Sequence, residues 1–161
     1  MIRIAIVVAL VVASASARGE GIELPDTKAR LELPDGWEPI TAVPGLIAAF
    51  RSGAAVLAVT RANVPNTRAW KPASRQAYAD EIERGIKASV DGYRRASKKL
   101  GTANGVPVLD VEARRGNGAH LIVRVLLFRT YALALAIELP AGSELTSARQ
   151  IASRFAAPAE R

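Results

Sequence analysis

Between Val106 and Leu139 the chain offers little but strand. Three apolar-rich segments, Val106–Arg114, Ala119–Arg129 and Tyr131–Leu139, follow one another with short gaps. The first gap, Gly116-Asn117-Gly118, permits two registers. A two-residue Asn-Gly turn would pair Gly116 with Ala119, setting Asp110 against Val125 and Glu112 against Val123. A three-residue loop pairs Arg115 with Ala119 instead. Leu109, Val111 and Ala113 then face Val125, Val123 and Leu121, and Asp110 faces Arg124. A slip of one residue moves every side chain to the other face of a sheet, so matched polarity selects the three-residue loop.

The rest of the chain supplies partners for these strands. Ala29–Leu33 alternates as a strand, and Pro34-Asp35-Gly36 turns into Trp37, a core aromatic. Leu46–Phe50 and Ala54–Ala62, split by Arg51-Ser52-Gly53, make a hairpin pattern. Asn63–Pro72 is a loop with Pro65, Asn66 and Pro72 as breakers. Tyr78, Ile82, Ile86 and Val90 recur at helical spacing, which predicts a helix over 73–91 with Ser74 as N-cap and Gly92 as its stop. Tyr93–Leu100 is a charged strand and reads as a sheet edge. Ser143 opens a last helix through Phe155, and the tail from Ala156 reads as frayed. The fold class expected is α+β, with helices packed on an antiparallel sheet of about 6–7 strands.

The first residues address the chain. Arg3 precedes an apolar run from Ile4 to Ala13, and Ala15-Ser16-Ala17 has the small-x-small form of a signal peptidase site. The cut expected lies between Ala17 and Arg18, with a cut after Ala15 as the alternative. The uncharged stretch Ile4–Ala17 holds 14 residues, short of the roughly 20 that a spanning helix needs. No later segment is long and apolar enough to span. The chain has 161 residues and no Cys, which excludes lipoprotein attachment, disulfides and thiol chemistry. Removing 17 residues leaves 144 for one domain, enough to bury a core without covalent staples. The expected location is periplasmic or secreted.

The net charge is +7, and loss of Arg3 makes it +6. Such a chain can bind anionic lipid, polysaccharide or an acidic partner. Arg outnumbers Lys 17 to 5, so a GC-rich coding sequence is an equally plain source of the charge. Nucleic acid finds no support, since only Tyr93 lies near the basic strand and the leader directs the chain outward.

The element order, with Leu31-Glu32-Leu33-Pro34-Asp35-Gly36-Trp37-Glu38-Pro39 near its start, resembles the PsbP-like (Mog/PsbP/DcrB) superfamily. Asn104-Gly105-Val106-Pro107 is similar to the Gly-containing step before a buried strand in that group. Ser153-Arg154-Phe155 stands where the group closes on a Ser-Phe pair, and its intervening Arg departs from the pattern. The resemblance covers roughly residues 22–157. It implies an α/β/α sandwich and a non-catalytic binding role, because the group holds photosystem accessory subunits, a Ran-binding protein and bacterial envelope proteins.

The residues argue separately against chemistry. His120 is the only His and sits beside a turn, next to Arg114. No G-x-S-x-G elbow, phosphate loop or dinucleotide spacing occurs, and one His without Cys cannot build the usual zinc site. No cofactor is expected. Asp110 and Glu112 share one strand face, which suits acid/base work or a hard cation; pairing with Arg124 makes them a charge ladder instead. Asp80, Glu81 and Glu83 lie among Arg and Lys and read as a solvated helix face. Two surfaces remain as candidate partner contacts. Arg94, Arg95, Lys98 and Lys99 form a basic edge; simple alternation puts Arg94 and Lys98 on one face and Arg95 and Lys99 on the other. Trp70 with Lys71 stands in the 63–72 loop as an interface anchor, or as a staple holding that loop to the following helix. The function expected is an envelope accessory protein bound to a partner protein, with an anionic lipid or polysaccharide binder and a carboxylate hydrolase as alternatives.

Overall fold

A computed structural model describes residues 21–41 and 44–157. The expected leader, with its cut between Ala17 and Arg18, lies outside the described residues. Two short strands, β1 (Ile22–Glu23) and β2 (Arg30–Leu31), pair with each other as a ribbon. The main sheet is antiparallel and has seven strands in the order β3-β4-β5-β9-β8-β7-β6. These are β3 (Glu38–Pro39), β4 (Leu46–Ser52), β5 (Ala55–Ala62), β6 (Arg94–Ala103), β7 (Val106–Arg114), β8 (His120–Leu127) and β9 (Ala132–Leu139). Helix α1 (Pro72–Ser89) sits between β5 and β6 in sequence, and α2 (Thr146–Arg154) follows β9.

The predicted register of β7 and β8 is the one found. Leu109, Val111 and Ala113 oppose Val125, Val123 and Leu121, and Asp110 opposes Arg124. Arg115 N–H donates to Ala119 O at 2.9 Å, and Gly118 closes the loop at φ 83°, a conformation open to glycine at little cost.

Strand alternation builds two cores, one on each face. Leu109, Val111, Leu121, Val123 and Val125 bury against Tyr78, Ile82 and Ile86 of α1. Leu57, Ile122, Leu126, Leu135 and Ile137 point the other way and meet Ile151 and Phe155 at α2, together with Leu31 and Trp37. Helices therefore cover opposite faces, giving the expected α/β/α layering. Trp37 is buried as expected, and the ribbon that precedes it helps to close the α2 face.

Several local expectations fail for identifiable reasons. Helix α1 begins at Pro72, not after it; proline suits the first helical position, where its missing N–H has no partner to lose. Lys71, not Ser74, is the N-cap, and Ser74 Oγ donates to Arg68 O at 2.9 Å. Helix α2 begins at Thr146 rather than at Ser143, and the Glu144 carboxylate accepts from Thr146 N–H at 2.9 Å. Strand β6 runs on to Ala103, because Asn104 and Gly105 have φ of 50° and 79° and form the tight two-residue hairpin such a pair favours. The tail is pinned at its start: Ala156 bridges to Arg30, and Asn104 Nδ2 donates to Ala157 O at 2.6 Å.

Candidate functional site

Strand β6 is one edge of the sheet, as its charge predicts. Simple alternation of its cations is overturned. A β-bulge between Arg95 and Ser97 inserts Ala96 and shifts the phase, which is what one unpaired extra residue does to a strand. Arg95 and Lys98 therefore oppose Ala113 and Val111 on the α1 side, while Arg94 and Lys99 oppose Arg114 and Asp110 on the α2 side.

On the α1 side the cations are neutralised. Arg95 Nη1 lies 3.0 Å from Glu83 Oε2, and Lys98 Nζ lies 3.0 Å from the same oxygen. Lys98 also donates to Asp80. Asp80 and Glu83 are thus fastened to β6, against the expectation of a solvated acidic face; Glu81 is bound by Arg68 at 2.7 Å. Burial works to raise the Glu83 carboxyl, but hydrogen bonds from Lys98 and Tyr93 outweigh it and hold the group below its ordinary value. Burial likewise works to lower Lys98, and its bonds to Asp80 and Glu83 hold it above its ordinary value. Tyr93 is raised by burial and by the carboxylate it donates to.

On the α2 side the carboxylates are committed instead. Asp110 receives Arg124 Nε at 2.7 Å and Nη2 at 3.0 Å. Glu112 receives Arg149 Nε at 2.9 Å and Nη2 at 2.8 Å, and those bonds hold its carboxyl low. His120 opposes Arg114, which in turn opposes Arg94. Three basic residues, two Arg and a His, thus stand in one row across β6, β7 and β8. Among the described residues no group of three His, Cys, Asp or Glu could hold a metal ion.

The 63–72 loop is stitched to the sheet. Asn66 is fully buried; its Nδ2 donates to Phe128 O at 2.8 Å and its Oδ1 accepts from Tyr78 Oη at 2.5 Å. Trp70 is half-buried, and its Nε1–H donates to Leu127 O at 2.9 Å. The Arg129 guanidinium lies 4.3 Å from the centroid of its ring. The indole thus holds the loop to the end of β8. Lys71, beside it, is exposed.

Beside Asn66 and Tyr78 lies a space of about 20 Å³, near the size that holds one water. An open hollow of about 400 Å³ lies between α1 (Gln76, Asp80) and β6 (Arg95, Ser97, Lys98, Leu100). Its charged walls are the ones already paired with each other. No helix among the described residues is long and apolar enough to cross a membrane.

No family model matches the sequence, and no curated protein matches it. Structure comparison is decisive. Cyanobacterial PsbP (CyanoP) from Synechocystis sp. PCC 6803 superposes with a TM-score of 0.60 at 17% identity, over 89% of this chain and 98% of that one. The fold is PsbP-like. A protein structure from Bacteroides thetaiotaomicron is similar at a TM-score of 0.55 and 11% identity, over 89% of this chain and 50% of that one. At these identities the likeness is one of fold.

Within this PsbP-like fold the six expected contact residues do not form one surface. Arg95 and Lys98 face α1, Arg94 and Lys99 face α2, and Trp70 and Lys71 lie at the far end of β8 from His120. The sequence reading missed Asn66, which looked like a loop breaker. It also missed the cross-strand row, although Asn104-Gly105 was a readable hairpin signal that brings Arg94 close to Arg114.

Proposed function

We propose that this chain is an exported, non-catalytic accessory protein of the cell envelope that works through its surface. The observation that carries the reading is the commitment of its carboxylates. Asp110 and Glu112 each accept two bonds from one guanidinium. A general base must be free to reach a substrate proton, and these two carboxylates are engaged by structural guanidinium partners instead. The PsbP-like fold supports the same reading by analogy, as does the Arg3 to Ala17 leader. Lys71, Arg94, Arg95 and Lys99 are the exposed members of the expected contact set, and of these Arg95 is already paired with Glu83.

The test is cell fractionation followed by intact mass, with lysine crosslinking in the native envelope. The expected product begins at Arg18, is found outside the cytoplasm, and crosslinks through Lys71 or Lys99 to one dominant protein. A full-length chain retained in the cytoplasm would remove the reading.

A further inference from the structure

Strand β6 divides its cations unequally. The α1-side pair, Arg95 and Lys98, is met by Glu83 and Asp80. The α2-side pair, Arg94 and Lys99, meets no carboxylate within ion-pair distance among the described residues, and neither does Arg114. Directly opposed residues of neighbouring strands point to the same face, and His120 opposes Leu139, which belongs to the α2-side core. Arg94, Arg114 and His120 therefore stand side by side on that face, about 4.8 Å apart from strand to strand. The two guanidiniums so placed repel, and no carboxylate among the described residues lies within ion-pair distance of either.

The two carboxylates of this face cannot relieve that repulsion. Asp110 is already spanned by Arg124 and Glu112 by Arg149. Counting Arg94, Lys99, Arg114, Arg124 and Arg149 against Asp110, Glu112 and Glu144, the carboxylate just before α2 that acts on Arg149, leaves an excess of two positive charges. The ground beneath is stiff. Gly116 N–H donates to Asp91 O at 3.0 Å, clamping the turn before β6 to the turn before β8.

We propose that this end of the α2 face, centred on Arg94 and Arg114, binds the phosphate headgroups of an anionic lipid surface. The array is spread across three strands and carries no exposed aromatic side chain; Trp70 lies at the other end of β8. Protein partners are gripped by buried aromatic and Arg anchors in pockets, whereas a headgroup array is met by clustered cations alone. Arginine also forks onto phosphate oxygens in pairs of bonds. The choice of lipid over other anions rests on the envelope reading above; the unrelieved charge does not.

The experiment is sedimentation of the full chain with vesicles of equal parts phosphatidylglycerol and phosphatidylcholine. Pure phosphatidylcholine vesicles read whatever the apolar leader contributes. Arg94→Gln/Arg114→Gln is compared with Arg84→Gln/Lys87→Gln, which removes the same charge from exposed positions of α1. Each cation near an anionic leaflet is worth about fivefold, so the first variant should lose roughly 30-fold and the second little. Thermal unfolding separates binding from folding: relief of the opposed charges should leave Arg94→Gln/Arg114→Gln melting no lower than the native chain. Equal loss in both variants would assign the effect to bulk charge and overturn the proposal. So would no preference for phosphatidylglycerol, or binding to soluble polyglutamate in its place, which would point to an acidic protein. None of these outcomes alters the fractionation result, so the two readings fail separately.

Discussion

Arg124 and Asp110 meet across β8 and β7 in a two-pronged pair, Nε to Oδ1 at 2.7 Å and Nη2 to Oδ2 at 3.0 Å. The third nitrogen, Nη1, donates to Ala152 O at 2.9 Å and Ser153 O at 2.7 Å. These carbonyls end α2, where the usual partners four residues on are missing and the negative end of the helix dipole gathers. One guanidinium thus joins two sheet strands to a helix end. Phe155, fully buried, follows immediately and fixes the same junction from its apolar side.

Loss of this group should be felt as loss of stability. Arg124→Ala leaves Asp110 uncompensated and the α2 carbonyls without their donor, and should cost about 3 kcal/mol. Arg124→Lys should recover little, because an ammonium cannot fork between a carboxylate and two carbonyls. Urea unfolding followed by circular dichroism measures both. A lysine variant with the native midpoint would show that the fork is not what joins α2 to the sheet.

Trp70 makes a similar distinction possible for the 63–72 loop. Trp70→Phe keeps most of the packing and loses the bond to Leu127 O, which should cost about 1 kcal/mol. Trp70→Ala also loses the ring beneath Arg129 and should cost about 2–3 kcal/mol, below the value for a fully buried aromatic. Binding lost in Trp70→Ala but kept in Trp70→Phe would then track stability rather than contact. Chemical denaturation of both variants beside the native chain gives the comparison.

Legibility in the sequence followed what each signal depended on. The β7–β8 register was readable because the two possible pairings differ in polarity at every step. The α1 stripe was readable because Tyr78, Ile82 and Ile86 need only one partner face. The bulge at Ala96 was not, since it depends on what stands across the strand rather than on Ala96 itself. Capping failed at Ser74 and Ser143 because a local preference lost to neighbours: Pro72 suits the first helical turn, and Glu144 reaches the first N–H of α2. The fate of each β6 cation was equally hidden, because it is set by carboxylates 12 to 18 residues away on α1.

The Gly92–Gly116 approach should be intolerant on one side only. A Cβ on Gly92 would lie 2.4 Å from Gly116 Cα, and Gly92 has φ +64°. A Cβ on Gly116 would lie 3.4 Å from Gly92 Cα, ordinary contact. Gly92→Ala should therefore cost more than about 2 kcal/mol, from strain and from displacement of the β7–β8 turn. Gly116→Ala should cost much less. Thermal unfolding ranks them, and equal losses would show that the turns are free to part.

The Glu83–Lys98 contact gives stability a defined pH window. Glu83 is held below its ordinary 4.5 in the folded chain, so its contribution is complete above that value and is lost as pH falls through the depressed one. Lys98 is held above its ordinary 10.5, so its contribution is complete below that value and is lost as pH rises through the elevated one. Between those limits Glu83→Gln should cost about 1–3 kcal/mol, because Lys98 and Arg95 lose a shared acceptor in a half-buried site. In strong acid the native carboxyl is itself protonated, and the two proteins should converge. Urea midpoints taken across the pH range test this directly. A gap between native and variant that stays the same from neutral pH to the acid limit of the folded state would mean that packing, not charge, makes the difference.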